Sequence, residues 1–147
     1  MDDIARELLE GVDAAIAPWV VRSVSALVEA WSGAPPGPDV VARAETAGEQ
    51  ARADVVPRLR ELLTTDVDEQ WTTPLAIVRD AVRYPASVLR EAGVPAVARD
   101  AFAEQRFPDD DYDLTPATFA DLDPALADAG LAWGAAKAWA HRRRHGS

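Results

Sequence analysis

Residues 4–31 read IARELLEGVDAAIAPWVVRSVSALVEAW, and this stretch decides the fold class. Ile4, Leu8, Val12, Ile16, Trp19, Val20, Leu27, Val28 and Trp31 recur mainly at steps of three, four and seven. That spacing lays them along one flank of a helix, whereas a strand would need apolar residues at alternate positions. Trp19 and Trp31 fall on the stripe and are expected in the core. Pro18 has no amide hydrogen, and its ring clashes with the preceding turn. It is therefore expected to kink the helix or to open a second one, changing the direction of the chain.

Working outward, Gly33-Ala34-Pro35-Pro36-Gly37-Pro38 is too rich in proline and glycine to continue a helix and reads as a tight connection. A second helix follows, with Asp39 as its expected cap. Its stripe runs through Val40, Ala44, Ala47, Ala51, Val55, Leu59 and Leu62 or Leu63 to about Thr64. The alanines allow close approach of a neighbouring helix, so residues 1–66 are expected to form an antiparallel hairpin, with a further kink at Pro57.

Three later helix starts pair a capping residue with proline at the first helical position: Thr73-Pro74, Thr115-Pro116 and Asp123-Pro124. The first opens a stretch through Val78, Val82, Val88 and Leu89 to Gly93, interrupted at Pro85. Val94-Pro95 then opens a short helix through Phe102. Gly93 and Gly130 stand where helix C-caps are expected. The last helix begins near Leu131, carries Trp133 and Trp139, and ends in a basic tail from His141 to His145. No alternating run or Asn-Gly hairpin signal calls for strands. The expected fold is all-α: one domain over 1–147, an irregular helical bundle of five to seven helices with a long N-terminal helical hairpin and a helical half over 72–145.

Composition removes much chemistry. There is no cysteine, and His141 and His145 both lie in the tail, so residues 1–140 cannot supply a thiol nucleophile, a Cys/His zinc site or a Ser-His-Asp relay. A hydrophobic content of 48% against 27% charged residues favours a packed core. The net charge of −10 argues against nucleic acid and anionic lipid as partners. The acidic start, Met1-Asp2-Asp3, and the interruption of the longest apolar run by Pro18 argue against a signal peptide or membrane span. Lack of cysteine suits a reducing, cytoplasmic setting.

Four candidate sites emerge. Asp109, Asp111 and Asp113 have the spacing of the first calcium ligands of an EF-hand, but Leu114 replaces the turn glycine and Ala120 the closing glutamate. The stretch reads instead as a solvated acidic loop. Glu7 with Glu10, and Glu45 with Glu49, share helix faces and could hold magnesium as in all-α phosphohydrolases. A paired Glu-x-x-Glu and Glu-x-x-Asp motif has no clean second half here.

Arg79, Arg83 and Arg90 fall within roughly 40° of one another on a helix, near Tyr84 and Trp71. This stripe is either a receptor for an anionic ligand or the internal partner of Asp109 to Asp113. The arginines of the tail, Arg142 to Arg144, suit a helix C-terminus. Trp133 and Trp139 are six apart, so one is expected to be buried and the other to face a partner. The leading expectation is a non-catalytic cytoplasmic interaction or regulatory module without cofactor or metal. It would associate through residues 2–66 with itself, as a homodimer, or with another protein. A magnesium-dependent phosphohydrolase and an anionic-ligand binder at the arginine stripe are the alternatives.

Overall fold

The Asp2 carboxylate accepts the Ala5 amide at 2.8 Å and so starts α1 (Asp3–Ser32); Gly33, at φ 76°, ends it. The structure is a computed structural model that describes residues 2–65 and 72–144, the latter stretch without the Arg144 side chain. Neither internal proline ends its helix: α1 runs through Pro18, and α2 (Pro38–Leu63) runs through Pro57. Pro18 cannot bond the Ala14 carbonyl, nor Pro57 that of Ala53. All four residues are exposed, so water can take the freed acceptors. No second helix opens at either proline.

The connection ends with Gly37, not Asp39, as the N-cap of α2, because Pro38 with its preset φ takes the first helical position. Asp39 sits in the first turn, where the helix dipole favours a carboxylate. Arg52 bonds Asp13, and Gly48 meets Ala17; the partners run in opposite directions, so the hairpin is antiparallel. A Cβ on Gly48 would lie 2.9 Å from the Ala17 carbonyl oxygen, a measure of how closely the two backbones approach. The same register sets Trp31 opposite the connection, beyond the reach of α2. It is 53% exposed instead of buried, while Trp19 is in the core as expected.

Thr73 caps α3 (Pro74–Arg79), its hydroxyl accepting the Ala76 amide at 3.2 Å. The interruption expected at Pro85 lies upstream, in a 3-10 turn over Asp80–Val82. Pro85 then falls in the first turn of α4 (Arg83–Glu91), where its missing N–H forfeits no helical bond. Gly93, at φ 80°, closes α4: its amide bonds the Arg90 carbonyl and the Val94 amide that of Leu89, a Schellman arrangement.

Residues 94–100 are not helical, contrary to the Val94-Pro95 expectation. α5 (Ala101–Arg106) starts later, because Asp100 caps the Ala103 amide at 2.7 Å. Thr115-Pro116 opens no helix either, since Asp110 captures the Thr115 hydroxyl and amide. Two 3-10 turns, Phe119–Asp121 and Pro124–Leu126, lead into α6 (Ala127–Arg144), which begins a turn before Leu131. Gly130 is no C-cap. It lies inside α6, where a Cβ would come within 2.8 Å of the Phe119 ring.

Among the described residues there is no strand, and the fold is an all-α bundle. Side chains from α1 to α4, from α6 and from the segment around Tyr112 to Leu126 form one core. Leu8, Ile16, Leu59, Leu89 and Leu122 are fully buried, each worth about 1.5–3 kcal/mol against exposure. Arg22 donates to the Leu122 carbonyl and ties the hairpin to the approach of α6. By length and composition alone α1 is long and apolar enough to cross a membrane, one 18-residue stretch of it having a mean hydropathy of 1.3. In this fold Leu8, Val12, Ile16, Val20 and Val24 of that helix are buried in the core it shares with α2, α4 and α6.

Candidate functional site: an arginine-lined cleft

The three stripe arginines diverge. Arg83 reaches back to α2 and bonds Asp54, to which the Tyr84 hydroxyl also donates at 2.8 Å. Burial pushes the Asp54 carboxyl up, but hydrogen bonds from Tyr84 and Arg83 and the charges of Arg83 and Arg58 outweigh it. The carboxyl is held below its ordinary range. The bond to Asp54 raises the Arg83 guanidinium, and burial, followed by the bond to Asp54, raises the Tyr84 phenol.

Arg90 turns instead to Asp111, Nε to carboxylate at 3.0 Å. Arg79 donates from Nε to the Pro116 carbonyl at 2.9 Å and from Nη2 to that of Ala117 at 3.3 Å. Arg79 and Arg90 thus hold the acidic segment from two sides. Trp71 lies outside the described residues.

That segment is not a uniformly solvated loop, as expected from its sequence. Asp109 and Asp113 are exposed, but Asp110 is 2% exposed. Its carboxylate accepts the amides of Leu114 and Thr115 at 2.9 and 2.8 Å and the Thr115 hydroxyl at 2.6 Å. Three donors account for a buried charge that would otherwise be costly. Tyr112 is buried too; it donates to the Val94 carbonyl at 2.7 Å, and burial raises its phenol.

Between α2, the α3–α4 junction and this segment lies a cleft of about 620 Å³. Arg58 on its wall is matched by Asp80 at 2.6 Å, and Arg83 by Asp54. Arg79 and Arg106 are placed differently: both approach the Phe107 ring, at 5.7 and 5.2 Å from its centroid, and among the described residues neither is joined to a carboxylate by a salt bridge. Arg106 and Phe107 escaped sequence reasoning because they end a six-residue helix too short to show a periodic face. Tyr84 lines a separate groove of about 550 Å³ with Arg43 and Glu91, sharing only Arg83 with the cleft.

On the hairpin, Glu10, Glu45 and Glu49 border a groove of about 870 Å³ together with Asp13, while Glu7 is not among its lining. Arg52 stands among them, 2.6 Å from Asp13 and 3.6 Å from Glu49, and its guanidinium is raised chiefly by the bond to Asp13. Among the described residues, no three histidines or carboxylates are grouped to hold a metal ion.

On α6, Trp133 is buried and Trp139 is 55% exposed, with Lys137 over the first ring at 5.2 Å and Arg143 over the second at 4.6 Å. Comparison with protein-family models, with curated proteins and with solved structures finds no match for this chain.

Proposed function

We propose that this chain is a non-catalytic, cytoplasmic protein-interaction module that associates with copies of itself, the outer face of α6 of one copy seating in the hairpin groove of the next. The observation that carries the reading is the apolar outer face of α6. Leu131 is 73% exposed, and Trp139, two turns on, is 55% exposed. Gly134, Ala135 and Ala138 between them are exposed and small, so a partner surface can come close. An exposed tryptophan beside small residues is the composition of an anchor. Beside Leu131 the face continues into an apolar hollow of about 400 Å³ bounded by Leu75 and Phe119.

Charge selects the occupant. Residues 129–147 carry four cations and no acid, leaving 25 acids against 11 bases in the rest of the chain. The hairpin groove offers a partial complement: its lining holds four acids against Arg22 and Arg52, and since Arg52 pairs with Asp13 and Glu49, the attraction rests mainly on Glu10 and Glu45, beside Ala14, Ala17, Pro18 and Val21. The groove lies within residues 2–66, the region expected to mediate self-association. The apolar stripe that prompted that expectation is spent inside the molecule; Glu10, Glu45 and the small residues of the groove remain available. Two different surfaces meeting head to tail build a ring or an open chain rather than a closed two-fold pair.

Light scattering coupled to size exclusion tests this. Mass should rise above 15.8 kDa with concentration and fall back with salt. Leu131→Glu on one face, and Glu45→Lys with Glu49→Lys on the other, should each restore the monomer. A monomer throughout the high-micromolar range, or association indifferent to the two groove substitutions, would overturn the proposal.

A further inference from the structure

We infer that the cleft beside Phe107 is a binding site for a small molecule with a phosphate or carboxylate at one end and hydroxyl or amino donors at the other. The inference is independent of self-association, because the cleft shares no lining residue with the hairpin groove or the hollow beside Leu131.

Three observations converge. The first is the distribution of unmatched charge. Of the four arginines lining the cleft, Arg58 and Arg83 are paired with Asp80 and Asp54, and those pairs are internally neutral. Arg79 and Arg106 retain their charge. The lining balances four arginines with four aspartates, so what sets Arg79 and Arg106 apart is a local separation of charge: among the described residues neither guanidinium is paired with a carboxylate.

The second is pre-organisation. Arg79 is fixed by its bonds to the Pro116 and Ala117 carbonyls, which satisfy Nε and Nη2 and leave Nη1 for a ligand. Both guanidiniums rest against Phe107, a ring that orients them without neutralising them. An anion arriving there meets donors whose side-chain entropy is already reduced.

The third is the opposite polarity nearby. Asp109 lines the same cleft, exposed and without a hydrogen-bond partner among the described residues, while its neighbour Asp110 is engaged by three donors. A bare anion would use only the arginine end; a ligand that also carries hydroxyl or amino groups uses both ends. The volume, about 620 Å³, suits a small molecule.

Amide chemical-shift titration of the full chain separates these elements, with inorganic phosphate and acetate as bare anions and glycerol phosphate and glycerate as their hydroxylated counterparts. Saturable shifts at Phe107 and Thr115 are expected, with the hydroxylated member of each pair binding more tightly. Whichever pair binds better identifies the anionic group. Arg106→Gln should weaken every probe by about tenfold or more, the loss of one charge-assisted contact. The Arg106 side chain makes no hydrogen bond among the described residues, so this variant should melt like the parent.

Asp109→Asn should abolish the advantage of the hydroxylated probes and leave the bare anions unaffected or slightly improved. Arg60→Gln, outside the cleft, should change nothing. Absence of saturation with all four probes, or affinities unmoved by Arg106→Gln in a variant that melts normally, would refute the inference.

Discussion

Replacing Gly48 by alanine and, separately, Gly134 by alanine makes the same chemical change in the interior of two helices and should move stability in opposite directions. In an open helical position the change stabilises by about 1 kcal/mol, because glycine loses more backbone freedom on folding. Gly134 is such a position: a Cβ there has no neighbour within 4 Å. At Gly48 the new carbon would lie 2.9 Å from the Ala17 carbonyl oxygen and 3.1 Å from its Cα. These are backbone atoms of α1 and cannot swing aside as a side-chain tip would, so the two long helices must separate. Forcing an extra carbon into a packed interface costs about 1–3 kcal/mol, and a backbone neighbour places the cost in the upper half of that range. After the propensity gain, the net loss is about 1–2 kcal/mol.

With an unfolding entropy of about 2.1 cal/mol/K per residue, a chain of this length shifts its Tm by roughly 3 °C per kcal/mol. Gly134→Ala should therefore melt about 3 °C higher and Gly48→Ala about 3–6 °C lower, by circular dichroism at a concentration dilute enough to suppress association. If Gly48→Ala stabilises as much as Gly134→Ala, α1 and α2 do not approach as described, and the hairpin geometry is wrong.

Two further substitutions probe the second half of the chain and its junction with α2. Asp110→Ala removes the acceptor for three donors in the segment that forms the cleft floor, and should cost about 2–4 kcal/mol in urea denaturation, well above the same change at exposed Asp109. Asp54 has its folded pKa depressed, so its contribution to stability is present above the unfolded value of about 3.9 and fades as pH falls through the lower folded value. The stability gap between the parent and Asp54→Asn should be constant near neutral pH and close below about pH 4; a gap that widens on acidification would contradict the Arg83–Asp54–Tyr84 arrangement.

The hairpin was legible because its signal is periodic: a stripe from Leu8 to Val28 and a run of small residues from Ala44 to Ala51 leave few ways to bury both. Thr73-Pro74 was legible because its cap is local. Pro18 did not open a second helix, because α1 loses a single hydrogen bond there, on its exposed side, and the turns before and after it keep theirs. Thr115-Pro116 carried the same local signal as Thr73-Pro74 and lost to Asp110, a competitor for the hydroxyl that is one of four aspartates in the five positions 109–113 and so did not stand out. Gly130 was chosen for closeness to Phe119, not for its φ. At the candidate site, Arg79 and Arg83 were visible as a pair on one helical face. Their divergence, toward carbonyls in one case and α2 in the other, depends on contacts 29 to 38 residues away, and the approach of Arg79 to Phe107 on one 28 residues away.

The bond from Arg22 to the Leu122 carbonyl spans 100 positions of chain. The two arms of the hairpin are joined by a connection of only five residues, 33–37, and can find each other with little loss of chain entropy. The Arg22 clasp can close only once everything between has settled. Its formation should therefore be a late event in folding, and amides around Leu122 should lag behind those of Val20 and Val55 when protection from solvent exchange is followed in time.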